Sequence, residues 1–291
     1  MESPRPTKRQ RVSGSTHGLA TPPTSDMSPV IERDISSRPD EPNDAAEDDD
    51  NLLARATHIL ATESAALTAI TTLYQTNSAA RSSLKQAVNT VLTAQAAGGK
   101  LIACGVGKSA YIAQKLVATC KSLSISASFL HASEAVHGDL GDVKAERDVL
   151  LFVSFSGRTP ELLNVLPHLS KSTKVIALTG LAERAEDCPL LDGREHRVLL
   201  PAPIPESEEV TFGVAAPTTS TTVALAVADM LALTIADEMH RSRTAEIFKR
   251  NHPGGAIGMA HDASERRKRR RLDGPPVLEL PSPESLSGSD D

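Results

Sequence analysis

At 291 residues, with 40% of them hydrophobic, the chain is long enough for one sizeable core or two small ones. Only 2% is aromatic and there is no Trp. That suits Ala, Val, Leu and Ile helices packed on a parallel sheet, and it argues against the stacking platforms of single-strand nucleic-acid readers. The net charge of -6 is too mild to define a partner, and three cysteines without C-x-x-C spacing point to a reducing, intracellular compartment.

Residues 1–50 are rich in Pro, Ser and Thr and end in the acidic run Glu47-Asp48-Asp49-Asp50. Such a composition buries too little apolar surface to offset chain entropy, so the segment is expected to be disordered. Its first thirty residues hold no apolar stretch, and no signal peptide is expected. It carries the basic cluster Lys8-Arg9-Gln10-Arg11, and residues 261–291 mirror it with Arg266–Arg271, six basic residues ahead of a Pro/Ser/acidic tail. Basic clusters on disordered flanks read as nuclear localisation signals or nucleic-acid-contacting arms, with a solvated charge run as the plain alternative. Their position off the fold makes nucleic acid an unexpected partner. Nuclear import factors are the partners such clusters would recruit, placing the protein in the cytoplasm, the nucleus or both.

Between these flanks, residues 51–260 read as one folded domain. Helical patterns at Leu52–Tyr74 and Ala79–Ala97 stop at Gly98-Gly99. A strand at Lys100–Cys104, a helix at Lys108–Lys121 and a strand at Ile125–Leu130 follow. Then come a strand at Val149–Val153, a helix from Thr159 to Leu169 and a strand at Lys174–Leu178. A strand at Arg197–Leu200, a long loop and the helix Thr218–Met239 complete the series. Repeated βα units with short connections predict a parallel sheet covered by helices, with ligands held outside the carboxyl ends of the strands. The most apolar run, Val223–Ala236, is too short to span a bilayer and carries Asp229, so no membrane partner is expected. Cys104 and Cys120 fall in apolar runs and read as core.

Five stretches carry chemistry. Gly105-Val106-Gly107-Lys108-Ser109 is not a Walker A loop, because the first glycine of that pattern would fall at Ile102. It fits a relaxed dinucleotide fingerprint, but no acidic residue closes the next strand. A tight turn setting Lys108 and Ser109 beside an anion is the better reading. Val149–Leu163 runs from a buried strand through Ser154-Phe155-Ser156-Gly157-Arg158-Thr159 into a helix start. Free amides, the helix dipole and three hydroxyls make a phosphate the natural guest, while the plain alternative is a βα turn rich in capping residues. His131–Asp142 gathers Glu134, His137 and Asp139. It lacks a helical His-x-x-x-His pair, so contacts to ligand hydroxyls or a local network are expected rather than a metal. Pro201–Pro217 carries Glu206, Glu208 and Glu209, and it leads into Thr218-Thr219-Ser220-Thr221-Thr222, more hydroxyls than one cap needs. A carboxylate over that polar pocket is a plausible general base. Finally, His252 stands conformationally fixed before Pro253-Gly254-Gly255, a setting that marks it as a candidate functional residue.

In this order, Gly-Val-Gly-Lys-Ser, Glu-Ala-x-His-Gly-Asp-Leu-Gly, Ser-x-Ser-Gly-x-Thr-x-Glu-Leu, Ala-Leu-Thr-Gly, Ala-Pro-Thr-x-Ser-Thr-Thr and His-Pro-Gly-Gly-Ala-Ile-Gly resemble the sugar isomerase (SIS) domains, over about Leu52 to Met259. The branch most resembled is the arabinose-5-phosphate isomerases. The resemblance implies a flavodoxin-like three-layer αβα sandwich with a parallel, five-stranded sheet, and a phosphorylated sugar as ligand. It implies aldose–ketose interconversion through an enediol and a homo-oligomer (dimer or tetramer) whose sites draw on neighbouring subunits; from the residues themselves no cofactor or metal site is expected. Carried over, Ser154, Ser156, Gly157, Arg158 and Thr159 belong to the phosphate loop. Lys108, Glu208 and His252 are the implied catalytic residues. Gly105, Gly107, Ser109, Glu134, His137, Thr218, Ser220 and Thr221 complete the implied substrate contacts.

The sequence departs from this pattern twice. Arg158 stands where the family has an active-site glutamate, so a possible base is replaced by a fixed cation with planar donors. It is placed to pair with Glu161 one turn on, or to meet a more acidic ligand. The paired nucleotide-sensing modules that often follow His-Pro-Gly-Gly give way to the basic tail. A non-catalytic, phosphosugar-sensing SIS protein, acting in the nucleus, is therefore the alternative to the isomerase.

Overall fold

The structure, a computed structural model, describes residues 44–182 and 185–254. The basic clusters Lys8–Arg11 and Arg266–Arg271, and the last motif beyond Gly254, lie outside the described residues. The chain divides into two compact units, Met1–Asp50 and Asn51–Asp291. Of the first, only its share of helix α1 (Asp44–Thr76) is described. That helix starts inside the segment expected to be disordered, because Asp48, Asp49 and Asp50 fall in its first two turns, where negative charge complements the helix dipole.

In the second unit, α2 (Ser78–Ala96) is capped by Asn77, whose Oδ1 accepts from the Ala80 amide at 2.9 Å. Then β1 (Leu101–Gly105), α3 (Lys108–Ser122) and β2 (Ala127–His131) follow, with the single turn α4 (Ala132–Ala135). After β3 (Val149–Val153) come α5 (Pro160–Leu163), β4 (Lys174–Thr179) and β5 (Arg197–Pro201). The chain continues through α6 (Glu208–Phe212), α7 (Thr219–His240) and α8 (Thr244–Arg250). All strand pairs are parallel, in the order β2-β1-β3-β4-β5. This is the flavodoxin-like order, with its switch point between β1 and β3.

Successive strand residues point to opposite faces, so the sheet has two cores. Leu101, Ala103, Val149, Leu151, Ile176 and Leu178 pack with α2, α3 and α7, together with Ala66 and Ile70 of α1. Ile102, Cys104, Leu150, Phe152, Val175 and Ala177 pack beneath α4, α5 and short 3-10 turns. The second layer is thin because the helix expected over residues 159–169 ends at Leu163 and resumes only as a 3-10 turn, Leu166–His168. Pro167 has no amide to donate and its ring disfavours the α-conformation at Leu166, so the helix cannot run through.

The stretch Thr219–Arg250 is long and apolar enough to cross a membrane, more than the run at 223–236 suggested. In this fold it serves the core: Val223, Val227, Leu231 and Ile235 recur at helical spacing and are all buried. Lys115 of α3 pairs with Asp229 of α7, giving the charge within that apolar run a partner.

Candidate functional site

The loops after β1 and β3 flank the switch point, and a cavity of about 350 Å³ opens beside them. Its wall is drawn from the α3 start (Lys108, Ser109, Ile112), Val153 and Phe155, Thr179 and Gly180, Glu208, and the first turns of α7 (Ser220, Thr221). Five residues expected at the site therefore meet in one cavity: Lys108, Ser109, Glu208, Ser220 and Thr221.

The β1–α3 turn is tight for a physical reason. A Cβ at Gly105 would stand 2.7 Å from the backbone carbonyl of Ser109, so only glycine lets the first turn of α3 come this close to the strand. Gly107 then reverses the chain at φ +58, and no side chain caps the helix that follows. The α3 amino end is thus open towards the cavity, with the Lys108 side chain exposed beside it.

The hydroxyl loop is first of all bonded to itself. Ser154, buried, shares a 2.7 Å hydrogen bond with the Thr159 hydroxyl and accepts from the Gly157 amide at 3.1 Å. Ser156 Oγ accepts from the Arg158 amide at 3.2 Å. Ser154, Ser156, Gly157, Arg158 and Thr159 are not part of the cavity wall; Phe155 is. The Arg158 side chain is exposed and forms no ion pair with Glu161 or any other described residue. The pairing expected between the two is absent: Arg158 precedes the N-cap Thr159 and so lies outside α5.

Glu208 is only 9% exposed although it begins a short helix. Its Oε1 accepts from the amides of Ser220 at 2.9 Å and Thr218 at 3.2 Å. Burial pushes its carboxyl upward, but the Ser220 hydroxyl, the Ser220 and Thr218 amides and its own amide together outweigh that and hold it below the ordinary carboxylate value. The charge of Glu208 therefore caps α7, whose Thr218 offers no side-chain cap of its own. Thr221 Oγ1 donates to Thr218 O at 2.8 Å, while the Thr218 and Thr219 hydroxyls are buried without a partner among the described residues.

Glu134 and His137 lie exposed after β2, outside this cavity. His252 is elsewhere. Its Nδ1 contacts Phe248 O at 2.6 Å and its Nε2 the Ser122 hydroxyl at 3.3 Å, at the carboxyl end of α3. Lys108 begins that same helix, and fifteen residues of α-helix span about 22 Å. Within one chain, His252 and Lys108 do not share a site.

Sequence reasoning assigned no role to Phe155, Thr179 or Gly180. A rare aromatic between two serines was a signal available for the first. Thr179 Oγ1 and the Gly180 amide both donate to Phe155 O, at 2.9 and 2.8 Å, and the phenyl ring lies directly over Gly180. The three cysteines are free and buried, with Cys104 and Cys120 pushed up to about 12 by burial. Cys104 and Cys120 are core residues, as expected, and Cys188 joins them. Among the described residues no group of three His, Cys, Asp or Glu side chains stands close enough to hold a metal ion.

A five-stranded parallel sheet with its cavity at the switch point defines a doubly wound α/β protein of the flavodoxin-like class. The SIS domain family matches residues 96–234. An Escherichia coli CFT073 protein solved in complex with arabinose 5-phosphate is 30% identical with a TM-score of 0.55, the likeness covering 70% of this chain and 98% of that one. The chain belongs to the SIS domain family. Arabinose 5-phosphate isomerase GutQ of Salmonella typhi is 40% identical over 161 residues, 55% of this chain and 47% of that protein. An uncharacterized protein of Helicobacter pylori is 39% identical over 176 residues, 60% of this chain and 50% of that protein. The chain spans about half the length of the curated relatives it matches.

Proposed function

We propose that the chain is a phosphosugar isomerase that interconverts an aldose and a ketose phosphate of the arabinose 5-phosphate/ribulose 5-phosphate type. The observation that carries this reading is the meeting of Lys108 and Glu208 in one cavity at the switch point. An enediol route needs a base at the carbon beside the carbonyl and a cation near the oxygen that gains charge. Glu208, held ionised by the α7 amides, is the base; Lys108 stabilises the oxyanion. The loop Ser154–Thr159 grips phosphate through its hydroxyls and through the amides of Ser156 and Thr159, which donate to no described residue. The relation to GutQ and to a protein crystallised with arabinose 5-phosphate supports the substrate class.

On this reading, His252 acts on a neighbouring copy in a dimer or tetramer. Its distance from Lys108 supports that arrangement, and so does the exposed Phe155 ring on the cavity wall. A second reading, a phosphosugar sensor without turnover, rests on Arg158, a cation that pairs with no described residue and stands in the proposed phosphate loop. The basic runs Lys8–Arg11 and Arg266–Arg271 would then recruit nuclear import factors. A fluorescent fusion lacking Arg266–Arg271 that localises like the full chain would remove that part.

Proton NMR with pentose and hexose phosphates in D2O, on wild type and Arg158→Glu together, separates the readings. Isomerisation with deuterium uptake at C2 by the wild type establishes the enzyme. Binding without exchange, followed by turnover in Arg158→Glu, establishes the sensor.

A further inference from the structure

Phe155 is the one residue of the hydroxyl loop, Ser154–Thr159, that also lies on the cavity wall. Its backbone is pinned from the end of β4. Phe155 O accepts from Thr179 Oγ1 at 2.9 Å and from the Gly180 amide at 2.8 Å, and Thr179 is buried. Its ring is placed by a missing side chain: a Cβ at Gly180 would stand 2.4 Å from the nearest ring atom, so the ring lies against bare backbone. The residue is nevertheless 45% exposed. A large apolar side chain held in place and left this open offers its area to something that arrives from outside the fold.

The cavity divides its lining by chemistry. Lys108, Ser109 and Glu208 supply charge and a hydroxyl, while Val153, its sheet partner Leu178 and Phe155 supply apolar wall. A sugar has the same two characters. Its hydroxyls need polar partners, and its C–H bonds are attracted to the negative face of an aromatic ring. At about 350 Å³ the space is at the small end of ligand pockets, which run from roughly 300 to 1,000 Å³. A chain anchored at the loop by its phosphate and reaching Lys108 and Glu208 has to pass Phe155.

We infer that Phe155 is a specificity-determining residue: its ring takes the C–H side of a short sugar-phosphate chain and occupies the space that one further carbon would need. The ligand it selects is a pentose phosphate over a hexose phosphate. This inference rests on the proposed reading of the loop as the phosphate grip and the cavity as the sugar site.

The test measures affinities of the full chain by calorimetry for wild type, Phe155→Ala and Phe155→Leu. The probes are arabitol 5-phosphate, glucitol 6-phosphate and inorganic phosphate. The two alditol phosphates cannot cyclise or be isomerised, and they differ by a single carbon at the end away from the phosphate. One carbon in a fitted pocket is worth about tenfold to two-hundredfold, and the wild type prefers the shorter probe by a factor in that range. In Phe155→Ala the preference falls by about tenfold or more, while affinity for inorganic phosphate is unchanged. Phe155→Leu, smaller than Phe but still apolar, gives an intermediate preference, and it carries the test if Phe155→Ala fails to fold. An unchanged preference in these variants, or an equal loss for all three probes, overturns the assignment and leaves the ring a support of the loop. Dissociation of an oligomer with the preference intact overturns it too, and makes the ring a contact between copies. A wild type without turnover of arabinose 5-phosphate defeats the isomerase reading alone, because the preference is measured with probes that do not react.

Discussion

The cavity wall depends on one missing methyl group. A Cβ at Gly180 would meet three atoms of the Phe155 ring at 2.4, 2.7 and 2.8 Å. In Gly180→Ala the ring must therefore retreat by about 1 Å to reach ordinary carbon–carbon contact. Overpacking of this kind costs about 1–3 kcal/mol. The ring is 45% exposed and can swing towards solvent, so the lower end applies, about 1 kcal/mol. For a folded unit of this size, that lowers the Tm by about 2–4 °C. The functional loss is larger, since a 1 Å misplacement of a site wall costs up to about a hundredfold in turnover. Thermal unfolding and arabinose 5-phosphate affinity are measured for Gly180→Ala, Phe155→Ala and the double variant. With the ring gone the added methyl has nothing to displace, so Gly180→Ala becomes nearly free in the Phe155→Ala background. Equal costs in both backgrounds would show that the ring is not what the methyl meets.

Two further predictions concern buried groups. Folding favours the ionised form of Glu208, so its contribution is complete above the ordinary carboxylate value of about 4.3 and drains away as pH falls through the lower folded value. Glu208→Gln should therefore lose about 1–3 kcal/mol at neutral pH and show a shallower loss of stability on acidification; parallel acid limbs in urea melts would contradict this. The three buried thiols, all pushed up chiefly by burial, should resist an aromatic disulfide reagent at pH 8 until the chain unfolds. Three equivalents then react; reaction of the native protein at any one of them would place that cysteine at a mobile surface.

Much of the sheet could be read from composition and period alone. Val149–Val153 is found where five apolar, β-favouring residues stand in a row, and the other strands shift by two residues or fewer at either end. Elements set by a single local event were harder to read. Pro167 cuts the helix after Leu163, and α6 forms inside an expected loop because Ser207 supplies a cap and Gly213 a stop. At the site, residue types were legible and partnerships were not. Ser154 and Thr159 look like ligand donors in a list of hydroxyls, yet their nearest partners are each other. His252 reads as a neighbour of Lys108 in an ordered set of motifs, but α3 holds the two at opposite ends. Tertiary geometry decides both, and a linear pattern carries no trace of it.

The capping of α7 by Glu208 ties chemistry to architecture. In most enzymes a general base can be lost by drift while the scaffold stands, so its retention signals selection for turnover. The carboxylate proposed as the base here also closes the end of a long core helix, and removing it loosens that end. A descendant that had given up isomerisation for sensing would still keep Glu208 for the sake of its fold. On the proposed reading, the residues whose variation would track the gain or loss of activity are Lys108 and Arg158, both exposed beside the switch point.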